Sequence, residues 1–214
     1  GLPLEARLIF DTGQRKEGFL SLYLYHEGQM IYHFNFRFDY NVDGTPSVYI
    51  GTIQGSKHGL ETTKVLTKKL FGYRPKNFIL YLMRIFVQTL GIHDIYVITD
   101  EGFYTNSHML RGNRSKKTNF NEFWIGEGAA PDGKEPWYYH LPIEERRRKY
   151  GEIKSQKRNL FRKRYLLMDT IIPPYIAAIK GLFRQGFDPI PSAIDEAAIT
   201  DKPADYDPIE APAK

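Results

Sequence analysis

Two histidines, two carboxylates and a tyrosine stand where they could move protons. His108 lies in a polar stretch with Asp100 and Tyr104 before it and Glu122 beyond it. An imidazole takes up a proton near neutral pH, a carboxylate such as Asp100 or Glu122 can orient it, and a phenol such as Tyr104 can donate. His58 is a second candidate base, in Gln54-Gly55-Ser56-Lys57-His58-Gly59. A lone histidine more often packs as a hydrogen-bonded scaffold residue, so each is weighed against that plain reading. His26, His33, His93 and His140 fall in or beside expected strands or turns and make poor metal ligands. There is no Gly-x-Ser-x-Gly elbow, no His-Glu-x-x-His pair and no cysteine. Thiolate nucleophiles, disulfides and thiolate metal sites are therefore excluded. The expectation is of no metal and no tightly bound cofactor.

Two further stretches suit an anion. Gln54 and Gly55 close an apolar segment, and glycine there lets backbone amides approach a phosphate, although the same glycines also suit a bulge or a turn. Arg74-Pro75-Lys76-Asn77 marks a helix start, because proline is favoured in the first turn. Arg74 and Lys76 oppose the partial positive charge of that helix end, a conflict that a bound phosphate resolves and that solvation of both side chains also relieves. Gln54, Gly55, Arg74, Lys76 and Asn77 are thus the candidate phosphate ligands.

The elements that must carry these residues are legible in the hydrophobic pattern. Residues 8–10, 19–25, 30–38 and 48–53 alternate as four strands, and the two-residue Glu27-Gly28 link suits a tight hairpin, so residues 5–53 read as an antiparallel meander. Met30, Tyr32, Phe34, Phe36 and Phe38 share one face of the third strand, and His33, Asn35 and Arg37 the other. A short helix over 60–70 and a largely buried one from Arg74 to Leu90 lead to a compact strand at 94–99. Residues 100–140 lack a period and read as a long loop. Helices are expected over 143–150 and 153–172, the second broken at Pro173-Pro174, with a last short helix at 175–183.

The net charge of +5 hides a division. Residues 186–214 hold seven acids, two bases and five prolines, so that tail sums to −5 and reads as extended, while residues 1–185 form one domain of +10. A basic body points to anionic partners. No apolar run approaches a membrane span and no leader sequence is evident, so the expectation is a cytoplasmic chain, a signal removed earlier being invisible.

Several blocks occur in a fixed order: Ile50-Gly51-Thr52-Ile53-Gln54-Gly55, Thr67 through Lys76, Asn106-Ser107-His108, Asn121-Glu122-Phe123-Trp124, Leu141-Pro142, Ser155-Gln156-Lys157-Arg158 and Arg162 through Asp169. In this order they resemble the VirK/YbjX family, over about residues 15–170. Members are usually longer at the N-terminal side. The family often carries His-Gly where this chain has Phe71-Gly72, and Ser-Lys-Lys-Arg where it has Ser155-Gln156-Lys157-Arg158. The resemblance implies a bacterial protein linked to virulence, envelope behaviour and resistance to cationic peptides, without an established biochemical activity.

The order of elements is also similar to the acyl-CoA N-acyltransferase fold, so the expected class is α+β, a meander continuing through a β-α-β unit, with C-terminal helices. That likeness implies an acyltransferase moving an acyl group from acyl-CoA or acyl carrier protein to an amine or hydroxyl. Gln54, Gly55, Arg74, Lys76 and Asn77 would hold the donor's phosphate and His108 or His58 would act as base. The alternative is a non-catalytic envelope-stress or scaffold protein whose basic helices bind anionic lipid or protein. Nucleic acid ranks last, since no reading motif accompanies the charge.

Overall fold

The computed structural model describes residues 3–11, 16–57, 59–103 and 119–183. His58, Tyr104, His108 and the acidic segment 186–214 lie outside the described residues. Six strands, β1 (Leu4–Phe10), β2 (Leu20–His26), β3 (Gln29–Tyr40), β4 (Pro46–Gly55), β5 (Asp94–Ile98) and β6 (Tyr138–Leu141), form one sheet in sequence order. β1 to β4 are an antiparallel meander, β4 and β5 are parallel, and β6 closes antiparallel. The β2–β3 turn is the expected tight hairpin: Glu27 and Gly28 both have positive φ, 51° and 77°, as a type I′ turn requires.

Two helices link the parallel strands, α1 (Leu60–Lys69) and α2 (Pro75–Thr89). Pro75 stands in the first turn of α2, where a missing N–H costs no helical bond. From Phe78 to Val87 every residue of α2 is buried, so the helix is the centre of the core rather than a cover for it. α3 (Phe120–Gly126) and α4 (Ser155–Lys180) complete the fold. Met168 and Ile179 of α4 are buried in the same core as α2.

The centre of the meander is covered on both faces. His33, Asn35 and Thr52 are as buried as Phe34 and Ile53 on the helix side. Their cover includes residues 16–19, because a side chain on Gly51 would lie 1.9 Å from the Glu17 carbonyl oxygen and one on Gly18 would strike the Phe36 backbone. Gly51 is also where the β3–β4 register slips, with Asn35 opposite Thr52 and Phe36 opposite Ile50. The glycine therefore serves a bulge and a close crossing at once.

Three expectations change. Residues 100–140 are not all loop: they include α3 and the start of β6. α3 is too short for a period to register, yet Trp124 is fully buried and its indole N–H donates to the Ile98 carbonyl at 3.0 Å. The expected helix over 143–150 is absent, and only Tyr150–Glu152 forms a 3₁₀ turn. Side chains of α2 take the carbonyls that such a helix would need, Arg84 that of Pro142 at 3.1 Å and Gln88 that of Ile143 at 3.4 Å. Finally, α4 runs unbroken through Pro173 and Pro174. Both prolines are exposed, while Met168, Ile171, Ile172, Ile176 and Ile179 pack on the core on either side of them, and this packing outweighs the lost backbone bonds.

Candidate functional site

α2 runs back along the sheet, so its first turn lies at the end where β4 finishes. α3 follows β5 at the same end through Asp100, whose Oδ1 accepts from the Phe120 N–H at 2.7 Å. In open sheets with parallel strands, ligands bind beyond the carboxyl ends of those strands. A cavity of about 830 Å³, within the range of small-molecule sites, adjoins the first turn of α2, and no strand residue lines it. The start of α2 and the turn before it give one wall, the end of α3 with Glu127 and Gly128 a second, and residues 145–152 with α4 the third.

Its floor is a buried polar network. Arg84, 2% exposed, donates to the Glu127 carbonyl oxygen at 3.0 Å and to the Glu127 carboxylate at 3.4 Å, and lies 3.9 Å from the Glu145 carboxylate. Asn77 Nδ2 donates to the other Glu127 oxygen, and the Tyr73 hydroxyl donates to Glu145. Burial raises the pKa of Glu145 against the opposing pull of the Tyr73 hydrogen bond and Arg84. Tyr73 is also raised, by burial first and the Glu145 charge second.

The rim is basic. Arg74, Arg146, Arg148 and Arg164 all face the opening. Arg146 is shared with Glu152 at 3.4 Å, whereas Arg74 and Arg148 are exposed. Arg164 sits between elements: it donates through Nε and Nη2 to the Phe71 carbonyl at 3.2 and 3.0 Å and lies over the Phe161 ring. Phe71 and Gly72 have φ of 53° and 74°, so the turn between α1 and α2 is left-handed and its carbonyl points out to be taken by α4.

Of the residues singled out from sequence, Arg74 and Asn77 line the cavity. Lys76, one residue away, lays its ammonium 3.7 Å from the Phe123 ring centre, and burial lowers its pKa to about 8 despite Glu127 and Glu122 nearby. Gln54 and Gly55 are exposed at the end of β4 and do not line the cavity; Gly55 is the residue over which the Tyr32 ring fits, 2.9 Å from where a Cβ would stand. Asp100 and Asn119 organise the start of α3, the N–H of Glu122 being held by Asn119 at 2.9 Å. Sequence reasoning missed Tyr73, Arg84, Glu127, Glu145 and Arg164. The available signals were an arginine in the middle of an apolar helix and the glutamates flanking Gly128 and Leu141-Pro142. Among the described residues no group of three histidines or carboxylates could hold a metal ion, and no helix is long and apolar enough to cross a membrane.

A meander extended by a β-α-β unit, with helices at the C-terminal side, defines an α+β protein consistent with the acyl-CoA N-acyltransferase-like architecture. Residues 1–174 match the family described as "Protein of unknown function (DUF535)", and the chain belongs to that family, the one that includes YbjX. It is 28% identical over 141 residues to the uncharacterized protein YbjX of Escherichia coli (strain K12), covering 64% of this chain and 42% of that one. It is 27% identical over 171 residues to an uncharacterized protein of Haemophilus influenzae, covering 78% of this chain and 54% of the relative. The chain thus spans about half the length of these curated relatives.

Proposed function

We propose that this chain is an acyltransferase, moving an acyl group from a phosphate-bearing thioester donor, an acyl-CoA or an acyl carrier protein, to an amine or hydroxyl. The observation that carries the reading is the cavity at the start of α2, with four arginines around its mouth and a carboxylate–tyrosine pair on its floor. Guanidinium groups bind phosphate bidentately, and the first amides of α2 add unpaired donors beside Arg74. Arg74, Arg148 and Arg164 are assigned to the phosphate, with Asn77 and Lys76 beside them.

Titration of the full chain with coenzyme A, octanoyl-coenzyme A and octanoyl carrier protein tests the reading, alongside release of free thiol on adding amines. The expected result is donor binding that weakens at least tenfold in Arg74→Ala with Arg148→Ala, both exposed and away from the core. Absence of both binding and thiol release with all three donors refutes it.

A second reading is favoured by the outer face of α4, where Leu166, 67% exposed, stands beside exposed Arg162 and Lys163. An apolar side chain ringed by cations fits an anionic lipid surface. Vesicles with anionic lipid should bind the chain in a salt-sensitive way that Arg162→Glu with Lys163→Glu abolishes; binding that survives both changes counts against it.

A further inference from the structure

The floor of the cavity has more negative than positive partners. Glu127 and Glu145 converge on Arg84, and among the described residues no other cation lies within ion-pair distance of either carboxylate. Of the neighbouring cations, Arg74, Arg146 and Arg148 stand at the rim, and three others have partners of their own. Arg147 pairs with Asp169 at 2.6 Å, Arg164 is held on the Phe71 carbonyl, and Lys76 rests on the Phe123 ring. Uncharged donors complete the shell, Asn77 on Glu127 and the Tyr73 hydroxyl on Glu145. Two half-buried carboxylates facing one guanidinium leave room, electrically, for one more cation or one proton. The floor also opens to the cavity, since Asn77, Arg84, Glu127 and Glu145 all line it.

Resting on the acyl-transfer reading, we infer that the acceptor is a primary amine whose ammonium seats between Glu127 and Glu145 as the missing cation, and that Glu145 takes its proton. The steps balance. The ammonium gives one proton to the Glu145 carboxylate, and the neutral nitrogen attacks the thioester carbonyl carbon. The C–S bond breaks as the C–N bond forms, and the thiolate takes a proton from the protonated Glu145 while the amide nitrogen releases its second proton to water. Tyr73 keeps its hydroxyl on Glu145 and orients the accepting oxygen. Arg84 is a positioning residue, fixing both carboxylates from beneath. With an arginine rim above, the site suits an amine that also carries an anionic group.

Three probes separate floor from rim in direct titrations of the full chain: propylamine, propyl phosphate and 3-aminopropyl phosphate. The aminopropyl phosphate should bind about tenfold or more tightly than propyl phosphate. Glu145→Gln and Glu127→Gln, which keep a hydrogen-bonding oxygen for Tyr73 and Asn77, should each erase that difference and leave propyl phosphate unaffected. Equal binding of the two phosphates by the unmodified chain overturns the amine site while the arginine rim stands. Binding of both amines but not of propyl phosphate overturns the rim and supports the amine site. No binding of any probe overturns both. Amine-dependent thiol release that is undiminished in Glu145→Gln overturns the role of Glu145 as proton acceptor.

Discussion

Replacing Arg84 by methionine isolates the electrostatics of the cavity floor. Methionine keeps the length and packing of the arginine stem in the core of α2 and deletes only the guanidinium. The loss removes the donors to the Glu127 carboxylate, the Glu127 carbonyl and the Pro142 carbonyl, and strips both carboxylates of their ion-pair partner. Breaking a buried pair by removing one member costs about 3–5 kcal/mol. Much of that cost belongs to ionised carboxylates, so it depends on pH. Glu145 already has a folded pKa above its ordinary value through burial, and loss of the arginine pushes it higher. An acid raised in the folded state is held protonated there while the unfolded chain ionises, so stability falls as pH rises from the ordinary carboxylate range through the folded pKa. The variant should therefore lose most at about pH 7.5 and recover part of the loss at about pH 5. Urea unfolding at both pH values measures this, with Arg84→Met/Glu127→Gln/Glu145→Gln as control, expected to be more stable than the single variant at the higher pH. A single variant as stable as the parent, or a penalty identical at the two pH values, refutes the reasoning.

Other outcomes follow from features outside the floor. Gly51→Ala sets a methyl group against the Glu17 carbonyl, so the crossing segment must move, and thermal unfolding should show a loss of about 1–3 kcal/mol. Glu17 is 5% exposed and burial, with Asp11 adding, raises its pKa to about 7. The contribution of Glu17 to stability should decline from the ordinary carboxylate range up to about pH 7 and level off above it, so the difference between Glu17→Gln and the parent in a pH series of unfolding curves should change over that segment. Lys76, lowered to about 8 by burial, should give a ¹³C-dimethyl-lysine resonance that titrates well below those of the exposed lysines, and a titration in their ordinary range refutes its burial on Phe123.

The meander and the helices between β4 and β5 were readable because their signals are local: alternating faces, a Glu-Gly turn, a proline at a helix start. What was not readable depends on distant partners. Nothing in residues 143–150 reveals that Arg84 and Gln88 will take their carbonyls, and nothing near Pro173 reveals that packing on both sides will carry the helix through. The site divides in the same way. Arg74 and Asn77 belong to a helix start and could be named from four residues. Arg84, Glu127 and Glu145 acquire meaning only where three segments meet, and Arg84 in particular sits in an apolar helix whose sequence does not name the partners its charge will find. Asp100 Oδ1 accepts from the Phe120 N–H and the backbone N–H of Glu122 donates to Asn119, so both residues stand at the first turn of α3, while His108, the base they were expected to orient, lies outside the described residues.

Arg164 closes the turn between α1 and α2 from a position 93 residues downstream. The carbonyl it holds lies past the C-cap Leu70, in the left-handed turn rather than in α1, so α4 pins the link between two helices that it is not otherwise part of. Because the same guanidinium faces the cavity, an anion drawn to the mouth competes with or reinforces that clamp. Occupancy of the site and docking of α4 are then two sides of one thermodynamic linkage: a tighter hold of Arg164 on the turn raises affinity for a ligand that reinforces the clamp and lowers it for one that draws the guanidinium away and loosens α4.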